Sequence, residues 1–162
     1  MTIRVTSSAW APGAPIPAKY TGEGEDVSPP LAWDGLPSGT VELALVCDDP
    51  DAPTAEPWVH WVIYGIDAQV AELPEAIPPQ PEIDTPIAAR QGKNSWNSGR
   101  TIGYRGPMPP PGHGVHHYHF KLYALDRKLD LPPGASKSEL LAAMEGHLLA
   151  TGELIGTYER SR

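Results

Sequence analysis

Two long apolar runs, residues 41–47 and 58–66, give the strongest pattern in the chain. The first is apolar at nearly every position, which predicts a central β-strand buried on both faces. A turn rich in Asp and Pro separates it from the second run, and so short a connection favours antiparallel pairing of the two strands. That pairing would bring Asp49, at the end of the first strand, and His60, near the start of the second, to the same edge of the sheet.

A third run, residues 115–125, alternates between two faces as a β-strand does. Alternation places His116 and Tyr118 on the face of the large apolar side chains that follow them, and it places His117 and His119 on the opposite face. The apolar face should point into the core. His116 and Tyr118 are therefore predicted to be polar residues on a core-facing surface, whereas His117 and His119 are predicted to be solvated.

A loop rich in Pro and Gly, residues 106–114, leads directly into this third run. Proline fixes φ and removes a backbone donor, while Gly112 and Gly114 allow positive φ and a close approach of a ligand to the backbone. Four of the six histidines of the chain, His113 among them, lie at this junction. The loop is expected to form a rigid, shallow cup at the start of the strand.

The segments outside these runs predict turns and short extended pieces. In residues 1–40 the prolines interrupt every helical period, so no helix is predicted there. Residues 67–100 are rich in Pro, Gln and Asn, and they predict an irregular excursion with one short strand near Ile87. Loops of this length are usually functional or mobile.

One convincing helix is predicted, and it begins near Ser136. Ser136 and Glu139 have the spacing of a capping box, in which each side chain accepts from the backbone N–H of the other residue. The apolar stripe that follows consists of Leu140, Leu141, Met144 and Leu148. Gly152 is expected to end the helix, and residues 153–158 are expected to form a last strand.

Composition narrows the class of protein. At 162 residues and 17.4 kDa the chain is expected to be one domain, residues 1–162, with a mainly β fold whose turns use its 20 prolines and 16 glycines. The net charge of −8 argues against a nucleic-acid or anionic-membrane surface, since both need clustered Lys and Arg. Cys47 is the only cysteine, and no segment resembles a signal peptide or a membrane span, so a cytoplasmic location is expected.

Three segments are candidates for one site: the acidic turn at Asp49 and Asp51, the strand at His60, and the loop and strand start at residues 110–118. The neighbours that strict alternation gives His60 on its own face are Trp58, Val62 and Tyr64. Each candidate also has a purely structural explanation. A histidine in such a strand is often a hydrogen-bonded core residue, and Asp in a turn often caps backbone N–H groups.

Two other chemistries are alternatives to simple binding. An enzyme that uses Asp, His and Tyr as acid and base is compatible with the residues, but the chain has no Gly-x-Ser-x-Gly motif and Cys47 lies inside an apolar strand. A metal site would need the histidines of the junction to converge, and alternation puts His116 opposite His117 and His119. We therefore predict no metal and no cofactor, and an enzyme stays an alternative.

Two motifs stand in a fixed order along the chain. The first is Asp49-Pro50-Asp51-Ala52-Pro53 followed by Trp58-Val59-His60-Trp61, and the second is Gly106-Pro107 followed by Pro109-Pro110-Pro111-Gly112-His113-Gly114-Val115-His116-His117-Tyr118. In order and spacing they resemble the two signature regions of the phosphatidylethanolamine-binding protein (PEBP) family, also called Raf kinase inhibitor proteins. The flanking segments 28–33 and 140–158 extend the resemblance to the compact bacterial and archaeal branch, over essentially the whole chain.

The resemblance implies a fold and a pocket. The fold has two antiparallel β-sheets, one α-helix in the C-terminal half and long Pro-rich loops, and the pocket at one edge takes phosphate, acetate or a phosphorylated headgroup. The ligand-binding residues that it implies are Asp49, Trp58, His60, Gly106, Pro110, His116 and Tyr118. It also implies a cis peptide bond at Ala52-Pro53. Many family members have Arg where this chain has His117, so one strong anion donor is missing here.

The function implied by the resemblance is binding of a small anionic or zwitterionic ligand, with regulation of the kinase-inhibitor kind as an extension. Imidazoles, a Tyr hydroxyl and loop amides can all donate to phosphate oxygens. Asp49 is awkward for an anion, but it could accept from a ligand ammonium group, which would favour a zwitterion such as phosphoethanolamine. The alternatives are a hydrolase or other small enzyme, and a protein-interaction module with a vestigial pocket. The compact branch also favours a homodimer.

Overall fold

The computed structural model describes residues 3–161, and their regular structure is nine β-strands and one α-helix, with a 3₁₀ turn at Ala18–Tyr20. The strands are β1 Arg4–Thr6, β2 Leu31–Asp34, β3 Glu42–Asp49, β4 Trp58–Asp67, β5 Glu72–Leu73, β6 Glu82–Ile83, β7 Ala89–Gln91, β8 His116–Leu125 and β9 Leu148–Tyr158. The helix is α1, Lys137–Met144.

The strands form two antiparallel sheets. The smaller sheet has the order β1-β2-β5, and the larger has the order β6-β7-β4-β3-β8-β9. The predicted mainly β fold with two antiparallel sheets is therefore confirmed. β3 lies between β4 and β8, and its last residue, Asp49, pairs with Trp58, the first residue of β4. The antiparallel pairing predicted for the first two apolar runs is thus present, and it brings the two strand ends together.

The central strands β3 and β4 of the larger sheet are buried on both faces. One face packs against the smaller sheet through residues such as Leu45 and Phe120. The other face packs beneath α1, where Val46 and Leu140 belong to a second apolar cluster. This double cover explains why the first apolar run showed no alternation, since a strand covered on both faces needs apolar side chains on both.

The start of α1 is confirmed. The Ser136 side chain accepts a hydrogen bond from the Glu139 backbone N–H (3.1 Å), and the Glu139 carboxylate accepts one from the Ser136 backbone N–H (2.9 Å). Leu140 and Met144 of the predicted stripe are buried, whereas Leu141 is 39% exposed. The two confirmed positions are the ones that hold the helix on the sheet.

The predicted end of α1 at Gly152 is wrong. The chain turns at Gly146, whose φ is +84°, and the His147 N–H donates to the Met144 carbonyl oxygen (2.9 Å), which closes the helix after Met144. Leu148 and Gly152 lie in β9 instead, and that strand also begins before residue 153. Among the residues described, no helix has the length and apolar character of a membrane span.

The excursion at residues 67–100 is more ordered than predicted. It holds three short strands, β5, β6 and β7, and Ile87 lies in none of them. The side chain of buried Gln91, in β7, accepts from the indole N–H of Trp61 (2.8 Å) and donates to the carbonyl oxygen of Pro78 (2.7 Å). Strands of two or three residues carry too little periodicity to be predicted, and partners elsewhere in the chain fix them here.

Candidate functional site

Asp49 ends β3 with its side chain buried beneath the turn that follows. One carboxylate oxygen, Oδ1, accepts from the backbone N–H of Asp51 (2.8 Å), and the other, Oδ2, lies 2.6 Å from Nδ1 of His116. A carboxylate can only accept, so Nδ1 of His116 carries a proton. One oxygen of Asp49 therefore caps the turn, and the other bonds a histidine of the candidate site.

A β-bulge turns His60 toward the site. The pairing of β3 with β4 shifts by one residue near the strand ends, and His60 is the extra residue on β4. Strict alternation predicted that His60 shares a face with Val62 and Tyr64, and this prediction is wrong. Those two residues pack in the cluster beneath α1, whereas the His60 ring lies against the Tyr118 ring on the other face, with centroids 5.1 Å apart.

His60 is tied to the loop that precedes the third run. Its Nδ1 donates to the carbonyl oxygen of Arg105 (2.7 Å), and the Arg105 N–H donates to the carbonyl oxygen of His60 (3.0 Å). Burial lowers the pKa of His60, and the hydrogen bond to Arg105 and the charge of Asp49 oppose that effect only in part. His60 is therefore a neutral ring whose Nε2 carries a lone pair.

The predicted alternation of β8 is confirmed at the site. His116 and Tyr118 are buried, and His117 is exposed on the opposite face. The Tyr118 hydroxyl is buried and has no hydrogen-bond partner within residues 3–161. Burial, with a further contribution from the charge of Asp49, raises the pKa of Tyr118 far above its usual range. Its O–H therefore remains a donor at every physiological pH.

His113 extends the contacts of His116 toward solvent. Its Nδ1 lies 2.7 Å from Nε2 of His116, and the two ring centroids are 4.9 Å apart. The loop that carries His113 is fixed on both sides: the Gly112 N–H donates to the carbonyl oxygen of Arg160 (2.8 Å), and the His113 N–H donates to that of Pro110 (3.1 Å). His113 was part of the predicted histidine cluster but not of the predicted ligand-binding set.

These elements enclose a cavity of about 240 Å³. Its lining residues are Asp49, Ala52, Pro53, Thr54, Trp58, His60, Trp96, Met108, Pro109, Pro110, His116 and Tyr118. Of the seven ligand-binding residues predicted from the sequence, all but Gly106 are in this lining. The strand ends and the Pro-rich loop thus converge at one edge of the larger sheet, as predicted.

Gly106 supports the loop instead of lining the cavity. Its N–H donates to a carboxylate oxygen of Asp26 (2.6 Å). A Cβ at this position would lie 2.0 Å from the carbonyl oxygen of Tyr20, so only glycine fits. At Gly106 the missing side chain makes room for the backbone of Tyr20 and not for a ligand.

Trp96 lines the cavity and was missed by sequence reasoning. Its ring centroid lies 5.3 Å from that of Trp58 and 5.2 Å from that of His60, and the Arg105 guanidinium lies 4.5 Å from its ring. Its backbone N–H donates to the side chain of Asn94 (3.0 Å). The one available signal was the length of the excursion, which is typical of functional loops.

The predicted cis peptide bond at Ala52-Pro53 is wrong. Within residues 3–161 the cis peptide bond is the one at Thr85-Pro86. The turn after β3 is held by its cap on Asp49 and by a hydrogen bond from the Thr54 N–H to the Ala52 carbonyl oxygen (2.7 Å). It closes with Pro53 in the trans form, which X-Pro bonds ordinarily prefer.

Comparison with known proteins identifies the family of this chain. The profile of the family described as Phosphatidylethanolamine-binding protein matches residues 6–159. The chain belongs to this family. Membership confirms the resemblance drawn from the two motifs, and it supports ligand binding in general.

The relatives include archaeal and bacterial PEBP-like proteins. UPF0098 protein PH1269 of Pyrococcus horikoshii is 53% identical over 160 residues, which cover 99% of this chain and 78% of that protein. The crystal structure of CT736 of Chlamydia trachomatis, a PEBP homologue, has a TM-score of 0.85 and 39% identity, and the match covers 98% of both chains. The structure of YbcL of E. coli, a new member of the mammalian PEBP family, has a TM-score of 0.87 and 33% identity, with 98% of this chain and 99% of that chain covered. The expected homodimer and the protein partner stay predictions.

Proposed function

We propose that this chain binds a small anion or a phosphorylated headgroup, of the phosphate or phosphoethanolamine type, in the cavity at Asp49, His60, His116 and Tyr118. The observation that carries the proposal is the Tyr118 hydroxyl, a buried donor without a partner in the described residues, at the wall of the cavity. Leaving such a group unsatisfied costs about 1–3 kcal/mol. A ligand oxygen that accepts from this O–H removes that cost.

The charges around the cavity favour a compact ligand that is not a polyanion. A buried carboxylate, Asp49, lies in the wall, and no Lys or Arg from residues 3–161 lines the cavity. Binding of an anion therefore depends on hydrogen bonds and on a proton held by a histidine. The faces of Trp58 and Trp96 offer a place for an ammonium group, which fits the zwitterionic headgroup that the sequence favoured.

The size of the cavity supports a headgroup over a larger molecule. Its volume of about 240 Å³ is below the range of roughly 300–1,000 Å³ that is usual for drug-sized ligands. A phosphate with a short substituent fits this volume. Acyl chains or a longer substituent would have to remain outside.

The proposal is tested by calorimetric titration with phosphate and with phosphoethanolamine. Wild type is expected to bind, and Tyr118→Phe is expected to bind about tenfold more weakly, since a hydrogen bond to a charged group contributes about 1.5 kcal/mol. Tyr123→Phe is the matched control, because Tyr123 is a buried tyrosine of the same strand that does not line this cavity. Failure of folded wild type to bind either compound would overturn the proposal.

A second candidate function, hydrolysis, is favoured by one contact. The buried carboxylate of Asp49 orients Nδ1 of His116 at 2.6 Å, which is the arrangement of a general base and its orienting group. No Ser or Cys of the described residues lines the cavity, and the hydroxyl of Thr54, which does line it, donates to the carbonyl oxygen of Glu56 (2.6 Å), so water is the nucleophile that this candidate function uses. Turnover of an activated ester or phosphoester that is lost in His116→Gln would support an enzyme, and absence of turnover in wild type would exclude hydrolysis of that substrate.

A further inference from the structure

Three titratable groups form an unbroken row from the interior to the surface. Asp49 Oδ2 lies 2.6 Å from Nδ1 of His116, and Nε2 of His116 lies 2.7 Å from Nδ1 of His113. The first two side chains are only 4% and 2% exposed, whereas His113 is exposed to solvent. Both nitrogens of the buried imidazole are therefore occupied, one by a carboxylate and one by a second imidazole.

The hydrogen-bond rules allow this row one extra proton. In the uncharged pair, His116 donates to Asp49 from Nδ1 and accepts at Nε2 the proton on Nδ1 of His113. If both rings were charged, two N–H groups would face each other across 2.7 Å, which no hydrogen bond permits. The two imidazoles consequently behave as a single site that holds either no extra proton or one.

The exposed ring gives that proton a route from solvent. In the uncharged pair, Nδ1 of His113 is the donor to His116, so the lone pair of His113 is on Nε2. A proton that binds Nε2 charges the pair and leaves both contacts of the row intact. Transfer of the proton on Nδ1 of His113 to Nε2 of His116 then places the positive charge on His116, which lines a cavity that has no Lys or Arg from residues 3–161 in its lining.

We propose that His113 and His116 are a proton-sharing pair that supplies the positive charge for the bound anion, so that binding takes up one proton from solution. The inference rests on the proposed function, because it names the group that regulates the same site. It assigns to His113, which does not itself line the cavity, the role of a positioning residue that acts through His116.

The charged groups on the neighbouring elements are already committed to other partners. On the turn after β3, Asp51 accepts from both the backbone N–H and the ring of His117. On the segment after β9, the Arg160 guanidinium donates to the carbonyl oxygen of Pro109 (3.3 Å) and lies 3.7 Å from the Glu23 carboxylate.

Within the cavity wall the remaining titratable groups cannot supply the charge. Tyr118 keeps its proton, and burial lowers the pKa of His60, so that ring stays neutral. Asp49 is the one fixed charge that faces the pair directly.

The pair predicts a definite pH dependence. A ligand whose binding takes up one proton binds more weakly as the pH rises, by up to about tenfold for each pH unit. Affinity for phosphoethanolamine is therefore expected to be higher at pH 6 than at pH 8. The proton count can be measured directly by calorimetry in buffers of different ionisation enthalpy.

The test compares wild type with two substitutions of His113. In His113→Gln the amide keeps the contact with His116, but the exposed ring that takes the proton is lost, so the gain in affinity at pH 6 should be smaller than in wild type. In His113→Arg the charge is permanent, so affinity at pH 8 should approach that of wild type at pH 6. The guanidinium can only donate and therefore occupies the lone pair on Nε2 of His116, so binding should take up about one proton fewer than in wild type. The proton changes of phosphoethanolamine itself are common to all of these proteins and cancel in the difference. His117→Gln is the matched control, since His117 is the adjacent exposed histidine on the opposite face.

The outcomes separate this inference from the function on which it rests. Absence of binding in folded wild type overturns both. Binding with the same proton uptake in wild type and His113→Arg overturns the proton-sharing pair and leaves the binding function standing. If His113→Gln abolishes binding altogether, rescue by His113→Arg at pH 8 supports the pair, and failure of that rescue contradicts it.

Discussion

Two histidine–aspartate contacts lie side by side in this molecule, and they differ mainly in how far their side chains are exposed to solvent. His116 and His117 are adjacent in β8, and each bonds an Asp of the same turn through Nδ1, Asp49 at 2.6 Å and Asp51 at 2.8 Å. The side chains of the first pair are 2% and 4% exposed, and those of the second are 52% and 42% exposed. Strand alternation alone sends them to opposite faces.

The difference explains why the candidate site is on the inner face. Water can replace either partner of the exposed pair, so that contact contributes little, typically 0–1 kcal/mol. On the inner face every polar atom needs a partner from the protein or from a ligand. The buried pair is accordingly bonded at every position, and at the cavity the Tyr118 hydroxyl is a donor that lacks a partner among the described residues.

The largest effect on stability is expected from Asp49→Ala. The substitution leaves the Asp51 N–H and Nδ1 of His116 without acceptors in a buried site, and each unsatisfied group costs about 1–3 kcal/mol. The free energy of unfolding should fall by about 3 kcal/mol, measured by urea denaturation at pH 7.

Asp51→Ala is the control for that measurement. It removes the carboxylate of the exposed pair from the same turn, and it should lower the free energy of unfolding by less than about 1 kcal/mol. Equal losses in the two variants would mean that burial does not distinguish the pairs, and the comparison would then fail.

A smaller contribution to stability, which is detected through its pH dependence, is expected from His60. Burial lowers its pKa, so on acidification the unfolded chain takes up this proton before the folded chain does. The contribution to stability is therefore complete above the ordinary histidine pKa of about 6.5, and it declines as the pH falls below that value toward the folded pKa.

The variant His60→Asn isolates this contribution. The Asn amide can replace the Nδ1 donor to the Arg105 carbonyl oxygen but does not titrate. Its unfolding free energy, followed by urea denaturation from pH 7.5 to pH 5.5, should decline less than that of wild type. Parallel curves for the two proteins would show that His60 is not the buried neutral ring inferred from its surroundings.

Much of this arrangement could be predicted from the sequence because it depends on periodicity. Alternation in β8 placed His116 and Tyr118 inside and His117 outside, and the short turn after β3 brought Asp49 to the same edge of the sheet. The capping box fixed the start of α1 at Ser136. These features follow from spacing along the chain, and the structure has all of them.

The remaining features depend on contacts between distant segments. A one-residue bulge decides which face His60 occupies, and the sequence of β4 contains no pattern that predicts the bulge. Trp96 reaches the cavity from a segment whose order comes from hydrogen bonds to other strands, such as that from the Ser95 N–H to the Val59 carbonyl oxygen (2.8 Å). The contact of His113 with His116 likewise depends on how Arg160 holds the loop.

The smallest effect on stability is expected from the exposed pair, His117 and Asp51, at acidic pH. Partial desolvation raises the pKa of Asp51, but hydrogen bonds from the side chain and backbone N–H of His117 outweigh it and lower the pKa below its ordinary value. The stabilisation from this pair is thus complete above the ordinary Asp pKa of about 3.9 and is lost as the pH falls through the lower folded value. Because both side chains are about half exposed, screening keeps this stabilisation below about 0.5 kcal/mol, and 0.5 M NaCl should reduce it further.

Between pH 5 and pH 3, urea denaturation of Asp51→Asn should show an acid loss of stability only slightly smaller than that of wild type. A large difference that persists in salt would mean that the outer pair is as strongly coupled as the inner one, and that solvent is not what separates the two faces.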